Sequence, residues 1–336
     1  MSATVVAGPF FEDLEVGLRV EDAPALTLTD GLAAAHRAIL GGRVRLALDV
    51  ELCAAVTGEP RLLADPQLVC DVAIGQSTPL TQRVIANLFY RGLAFHRLPR
   101  IGDTLRSSTE VVALRQTSAK PGRPASGLAA LRIRTVDQAE RPVLDFHRCA
   151  MLPLRDPDGV TGHADDLAAV GVAERPAGLV AGLLGGWDLD PLRAGAGGEH
   201  APLEAGAAWE VAAGDVVSSA PELARLSLNV AAAHHDAGAD GRRLVYGGHT
   251  IGLAAAQAAR ALPRLVAVLA WHGCDHLAPV FEGDTLSSRI ECERVEPLGR
   301  ADGGELLHLR SRVRARRADG APDAEVLDWR FAAVAA

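Results

Sequence analysis

The spacing of apolar positions divides the chain into helix-like and strand-like stretches, and the set comes round twice. Near the start, Thr27-Leu28-Thr29-Asp30 supplies capping residues for LAAAHRAIL, whose apolar side chains recur at helical spacing. TLRSSTEVVAL and LAALRIRTV then alternate and predict strands. In the second half, Ser218-Ser219 precedes PELARLSLNVAAAHH, with Pro221 suited to a first turn, so a helix is expected there. An Ala-rich stretch from Thr250 to Leu262 predicts another helix with a wide apolar face. LVAVLAW, LSSRIECERVE, LLHLRSRVRARR and VLDWRFAAV read as strands. Each half thus predicts a helix laid across an antiparallel sheet, an α+β layer pair.

Two short identities mark the repeat. Gly102-Asp103-Thr104-Leu105 returns as Gly283-Asp284-Thr285-Leu286, at an offset of 181. Val143-Leu144-Asp145-Phe146 returns as Val326-Leu327-Asp328-Trp329, at 183. Such agreement argues for one duplicated unit. Leu14-Glu15-Val16-Gly17 and the following valine are matched to Gly214 and Val217, an offset of 197 that makes the second copy shorter at its start. The expected boundaries are 1–155 for a first unit, 156–203 for a linker rich in Gly, Pro and Asp, and 204–336 for a second unit. Within the linker, Leu179 to Leu184 is expected to dock on a lobe.

Composition narrows the class. Hydrophobic residues make up 49% but aromatic residues only 4%, so Leu, Val and Ala must fill most of the core. A net charge of −8 argues against a general nucleic-acid binder. The cysteines Cys53, Cys70, Cys149, Cys274 and Cys292 have no CxxC spacing, as in reduced cytosolic thiols rather than a zinc site. No stretch approaches the ~20 apolar residues of a membrane span, and the N-terminus lacks the features of a signal peptide. A soluble cytoplasmic protein is expected.

The halves differ in their polar residues. The second contains Asn229, His234, His235 and Asp236, then LVYGGHTIGL; the first reads GRVRLALDVEL and LLADPQLVCDVAIG in the matching place. A histidine and a short amide can hold a water between them, and imidazole suits proton transfer near neutrality. Backbone N–H groups of Gly247, Gly248 and His249 at a helix start can stabilise an enolate-like thioester oxygen. On spacing alone a bland reading stands beside this one: Asn229 as a cap, the histidines solvated at a helix end, the glycines as a tight turn.

The motif N-x4-H followed by YGGH resembles that of the MaoC-like, (R)-specific enoyl-CoA hydratases, and the two-copy chain resembles their double-hotdog branch, which includes mesaconyl-CoA hydratases. FFEDLEVG, Asn87-Leu88 and Tyr90, VVALRQ, LDFHRCAMLPLRD and GRRLVYGGHTIGLA carry the likeness in order along nearly the whole chain. The resemblance implies a double hotdog fold and hydration of a short branched enoyl-CoA, with mesaconyl-CoA giving β-methylmalyl-CoA. It makes His234 the catalytic histidine and puts Asn229 where the wider family has an aspartate. An amide cannot act as a base, so Asn229 would orient water and His234 would move the proton. Tyr246, Gly247, Arg242 and Arg243 are expected to contact the substrate, the arginines through coenzyme A phosphates. Arg91, with Arg97 and Arg100 as further candidates, is expected to face an acyl carboxylate. Asp236, Asp275, His272 and His276 are weighed as minor candidates. No metal or cofactor beyond substrate coenzyme A is implied, and a homodimer is expected. Another enoyl-CoA, a silent acyl-CoA-binding protein and a thioesterase remain as alternatives.

Overall fold

The computed structural model describes residues 6–119, 122, 124–172, 182–194, 203–237 and 241–336. In the first half, α1 (Asp30–Leu40), α2 (Val50–Thr57) and α3 (Pro66–Gln76) precede or interleave with strands β1 (Arg19–Val20), β2 (Leu26–Thr27), β3 (Ala86–Phe95), β4 (Thr104–Gln116), β5 (Ser126–Val136) and β6 (Pro142–Pro153). After α4 (Asp190–Ala194), the second half carries β7 (Ala208–Glu210), β8 (Asp215–Val216), α5 (Ala220–Leu226), α6 (Gly247–Ala261), β9 (Leu265–His276), β10 (Thr285–Pro297), β11 (Glu305–Arg316) and β12 (Ala324–Ala335). Among these, no helix is long and apolar enough to cross a membrane.

All strand pairs are antiparallel in one sheet, ordered β1-β4-β5-β6-β3-β9-β12-β11-β10-β7. The order reads as the same half-sheet from either end, with β3 paired to β9 at the middle. Helices α3 and α6 pack against each other, and each lies against its own half of the sheet. This is the double-hotdog arrangement that the resemblance implied. Leu, Val and Ala fill most of the core, but the few aromatic residues are not scattered. Tyr90, Trp271 and Trp329 meet edge to face across the β3–β9–β12 junction, and Phe331 stacks on Trp329 at 3.9 Å.

The repeated Gly-Asp-Thr-Leu is a turn with a physical reason. Gly102 and Gly283 adopt φ of 98° and 95°, which favours glycine. The following aspartates accept backbone N–H bonds from Arg100 and Phe281, closing both turns. The second identity places Asp145 and Asp328 in matching bidentate pairs with Arg132 and Arg310. A third device escaped the sequence reading: Gln76 on α3 and Gln257 on α6 each donate to the carbonyl of the leucine in the repeat, Leu105 and Leu286. It sets the two central helices in register at the same offset.

Two expectations are corrected. The counterpart of Gly17 is Gly206, because their N–H groups bond the matching carbonyls of Val111 and Cys292. Gly214 instead precedes β8, which pairs with β10 as β2 pairs with β4. The copies therefore differ by 189 residues there, not 197. Helix α5 also stops at Leu226 and does not run on to the histidines. Leu228 takes a left-handed φ of 62°, which reverses the chain, and Ala232–His234 forms a separate 3-10 turn. Thr29 caps α1 as expected, accepting from the Leu32 N–H. Of the linker piece from Leu179, the first three residues lie outside the described residues; Leu184 is buried with Leu189 and Leu192 in a satellite cluster.

Helix α3 is buried along its whole length. At Gly75 it meets the second lobe so closely that an added Cβ would stand 1.7 Å from the Ser227 carbonyl oxygen and 3.1 Å from the Asn229 nitrogen. Alanine at position 75 would gain about 1 kcal/mol of helix propensity. The overlap with backbone costs more, so Gly75→Ala should lose about 2 kcal/mol net. Chemical denaturation should show the midpoint falling; an unchanged midpoint would mean that the 227–229 segment yields freely.

Candidate active site

The segment after α5 is shaped by contacts to the other lobe. Val230 N–H donates to Thr78 Oγ1 at 2.9 Å, and Ala232 N–H to the Gln82 carbonyl at 2.9 Å. Asn229 between them is buried, its Oδ1 accepting from Ala231 N–H at 2.9 Å in a local turn. His235 Nε2 donates to the Asn229 carbonyl. The Asn229 side-chain Nδ2 has no hydrogen-bond partner among the described residues, and the residue lines a cavity of about 670 Å³ between the lobes.

His234 lines the same cavity. Its Nδ1 stands 3.0 Å from the Leu244 carbonyl, an acceptor, so that nitrogen carries the proton and Nε2 keeps its lone pair. Burial pushes this imidazole down to about 4, with His235 and Arg148 acting in the same direction and the Leu244 bond opposing. His234 is therefore neutral at pH 7. Its ring lies 5.8 Å from that of Tyr246, which also faces the cavity. Burial pushes the Tyr246 phenol well up, so it stays protonated.

Helix α6 begins at the cavity wall. Tyr246 gives it no side-chain cap, and Gly247 and Thr250 line the cavity. The first N–H groups of a helix have no partner within it, so Gly247 presents a donor there. Neither glycine of the pair has a positive φ. Both are needed for space: a Cβ on Gly247 would meet His276 Nε2 at 2.7 Å, and one on Gly248 would meet Asp71 Oδ1 at 2.1 Å.

The other expected site residues divide. Gly248 and His249 do not line the cavity. His249 is fully buried and its N–H is committed to the Tyr246 carbonyl, so of the three expected donors Gly247 is the one on the cavity wall. Arg91 is a correction as well. It lies next to Tyr90 on the strand and so faces the other side of the sheet. There it stacks on Phe89 and donates to the Leu167 and Ala168 carbonyls, latching the linker. Arg97 pairs with Asp137 and Arg100 with Glu59, away from the cavity. Arg242 pairs with Asp319, and Arg243 with Glu282; neither lines the cavity. Asp236, Asp275 and His272 are exposed, whereas His276 lines the cavity.

One cavity residue was missed. Arg148 is 3% exposed and projects from β6 into the cavity. It donates from Nε to Ser77 Oγ and from Nη2 to the Ser77 carbonyl and Thr81 Oγ1. The signal was there: the inward positions of β6 run Leu144, Phe146, Arg148, Ala150, Leu152, which puts a cation on an apolar face. In β12 the matching position is Phe331, two residues past the repeated aspartate's neighbour Trp329.

No protein-family model matches the chain. The chain is 30% identical over 321 residues to the β-methylmalyl-CoA dehydratase of Chloroflexus aurantiacus, covering 91% of this chain and 88% of that one. It is 28% identical to the mesaconyl-CoA hydratase of Cereibacter sphaeroides, covering 85% and 83%. Among solved structures, a conserved Mycobacterium tuberculosis protein described as a double hotdog fold is 56% identical, with a TM-score of 0.89 and coverage of 97% and 98%.

Burial pushes His249 and His276 down to about 4, as it does His234. An unfolded histidine titrates near 6.5, so below that pH the unfolded chain binds protons that the folded chain refuses. Stability should be full above about 6.5 and fall as the pH drops toward about 4, each histidine contributing on the order of 2–3 kcal/mol. The first-lobe counterpart of His249 is Leu68, from the register set by the two glutamines. His249→Leu also removes two buried ring nitrogens without partners. It should stabilise the protein and flatten the acid slope; denaturation midpoints between pH 7 and 4.5 that parallel the wild type would contradict this.

Proposed function

Because the chain belongs to the family of MaoC-like hydratases and dehydratases, we propose that its inter-lobe cavity reversibly hydrates an α,β-unsaturated acyl-CoA. The supporting observation is the state of His234: Nδ1 is held by the Leu244 carbonyl, leaving an unprotonated Nε2 on a residue that lines the same cavity as Asn229. Water held by Asn229 is attacked for its proton by His234 Nε2 while its oxygen bonds to the β-carbon. The charge that gathers on the thioester oxygen meets the N–H donors at the start of α6. The proton then passes from His234 to the α-carbon, and the reverse sequence expels water. Among acyl groups, mesaconyl-CoA is the proposed substrate and β-methylmalyl-CoA the product, in line with the names of the two curated relatives. The same reading carries a cytoplasmic homodimer whose only cofactor is the coenzyme A of the substrate.

Asn229 favours a second reading, binding without turnover, because no Asp or Glu lines the cavity among the described residues. Mass spectrometry of purified protein with mesaconyl-CoA decides between them. A gain of one water supports the hydratase; an unchanged acyl-CoA that still binds supports the alternative, and released free thiol would indicate a thioesterase. His234→Ala should lower turnover about 10³-fold while the fold persists. Asn229→Asp should retain measurable turnover if the residue only orients water, and a complete loss would assign its amide N–H a donor role.

A further inference from the structure

Arg148 has a full positive charge and no counter-charge. It is nearly sealed from bulk solvent, and among the described residues no carboxylate pairs with it. Its three hydrogen bonds go to neutral oxygens of Ser77 and Thr81, and they use Nε and Nη2. Nη1 has no protein partner among the described residues. Burying a cation in this state is costly unless something anionic completes it. Other arginines that the sequence offered are already answered by Asp137, Glu59, Asp319 or Glu282, or spent on the linker carbonyls.

The location fits a ligand rather than a structural partner. Arg148 lines the same cavity as His234 and Asn229 but comes from the lobe that lacks the histidine. The bonds to Ser77 and Thr81 fix the plane of the guanidinium and occupy Nε and Nη2, which leaves the two N–H groups of Nη1 to donate to an anion. Thr78, in the same short turn, anchors the Asn229 segment through Val230. One turn of the first lobe therefore holds both the cation and the catalytic segment of the second.

We propose that Arg148 is the specificity residue of the site, binding a free carboxylate on the acyl chain, so that the substrate is the coenzyme A thioester of a dicarboxylic acid. This rests on the hydratase reading only for the word substrate; as a binding statement it stands alone. The first lobe then has its own function, to supply a cation where its counterpart position carries Phe331.

Succinyl-CoA and butyryl-CoA test this without turnover, since both are saturated four-carbon thioesters and only the first ends in a carboxylate. Isothermal titration of the intact wild-type protein should show succinyl-CoA binding at least about 30-fold tighter, as expected of a charge-assisted pair in a dry site. Arg148→Met, which keeps volume and removes charge, should abolish that preference. Equal affinities in the wild type would overturn the proposal, and this arm does not depend on any variant folding. A preference that survives in a folded Arg148→Met protein would overturn it too. A kinetic arm separates an alternative use of the cation on the thioester oxygen. If Arg148 reads the acyl carboxylate, Arg148→Met lowers the ratio of kcat/KM for mesaconyl-CoA to that for crotonyl-CoA by about 30-fold or more. If both fall equally, Arg148 serves the oxygen common to them and the proposal fails. Tight succinyl-CoA binding with no hydration of either enoyl-CoA would leave Arg148 in place and remove the hydratase reading instead.

Discussion

The cavity depends on one close contact, between helix α3 of the first lobe and the 227–232 segment of the second. At Gly75 the backbone of α3 approaches the Ser227 carbonyl too closely for any side chain. Just beyond, Thr78 and Gln82 take the N–H groups of Val230 and Ala232. A segment that contains a left-handed leucine and only a 3-10 turn has little regular structure of its own to hold its shape. The opposite lobe supplies that shape. Asn229 and His234 are thus residues of the second lobe in sequence but are positioned by both lobes.

The duplication accounts for this division. Each unit contributes the same scaffold: a central helix, a buried glutamine that sets its register, a Gly-Asp turn and an Arg–Asp pair across two strands. Pairing β3 with β9 fuses the half-sheets and brings the two helices side by side. What differs is local. The helix start is Asp65-Pro66 in one copy and Tyr246-Gly247 in the other. Asp65 caps α3 with its own carboxylate, accepting from Gln67 N–H, so that helix end is closed. No side chain caps α6, and its end opens on the cavity. The same fold position is structural in one lobe and available to a ligand in the other.

The scaffold was largely legible in the sequence because turns and alternation are local. Gly102 and Gly283 announce their turns, Thr29 announces its cap, and the strands alternate. Asn229, His234 and Tyr246 were legible through the motif that carries them, and all three meet in one cavity. What was not legible depends on long-range geometry. Charge along the chain does not place an arginine, because a surface arginine is satisfied by whichever carboxylate the fold brings near, as Asp319 is brought to Arg242. The expected long helix failed because the bonds from Thr78 and Gln82 compete for the backbone after Leu226, and no local propensity records them. Arg148 is legible as an inward-facing cation on β6, but its partners Ser77 and Thr81 are set by the fold and not by the strand pattern.

Arg148 and His234 also bear on each other electrically. The guanidinium helps to hold the imidazole in its neutral form, which secures a lone pair on Nε2 but makes the protonated ring costly. In the proposed hydration a base that cannot carry its proton is a poor one, since the proton would rest on it between water attack and delivery to the α-carbon. An acyl carboxylate on Arg148, as proposed, would offset that one contribution while burial and His235 went on opposing protonation. The base would then be somewhat stronger with the substrate's far end seated. Asn229 has the complementary consequence. An aspartate there would add a negative charge to the cavity that holds the Arg148 cation, whereas the neutral amide adds none. The neutral amide of Asn229, and an arginine from the other lobe with no carboxylate partner among the described residues, thus give the cavity a cation and no fixed anion to answer it.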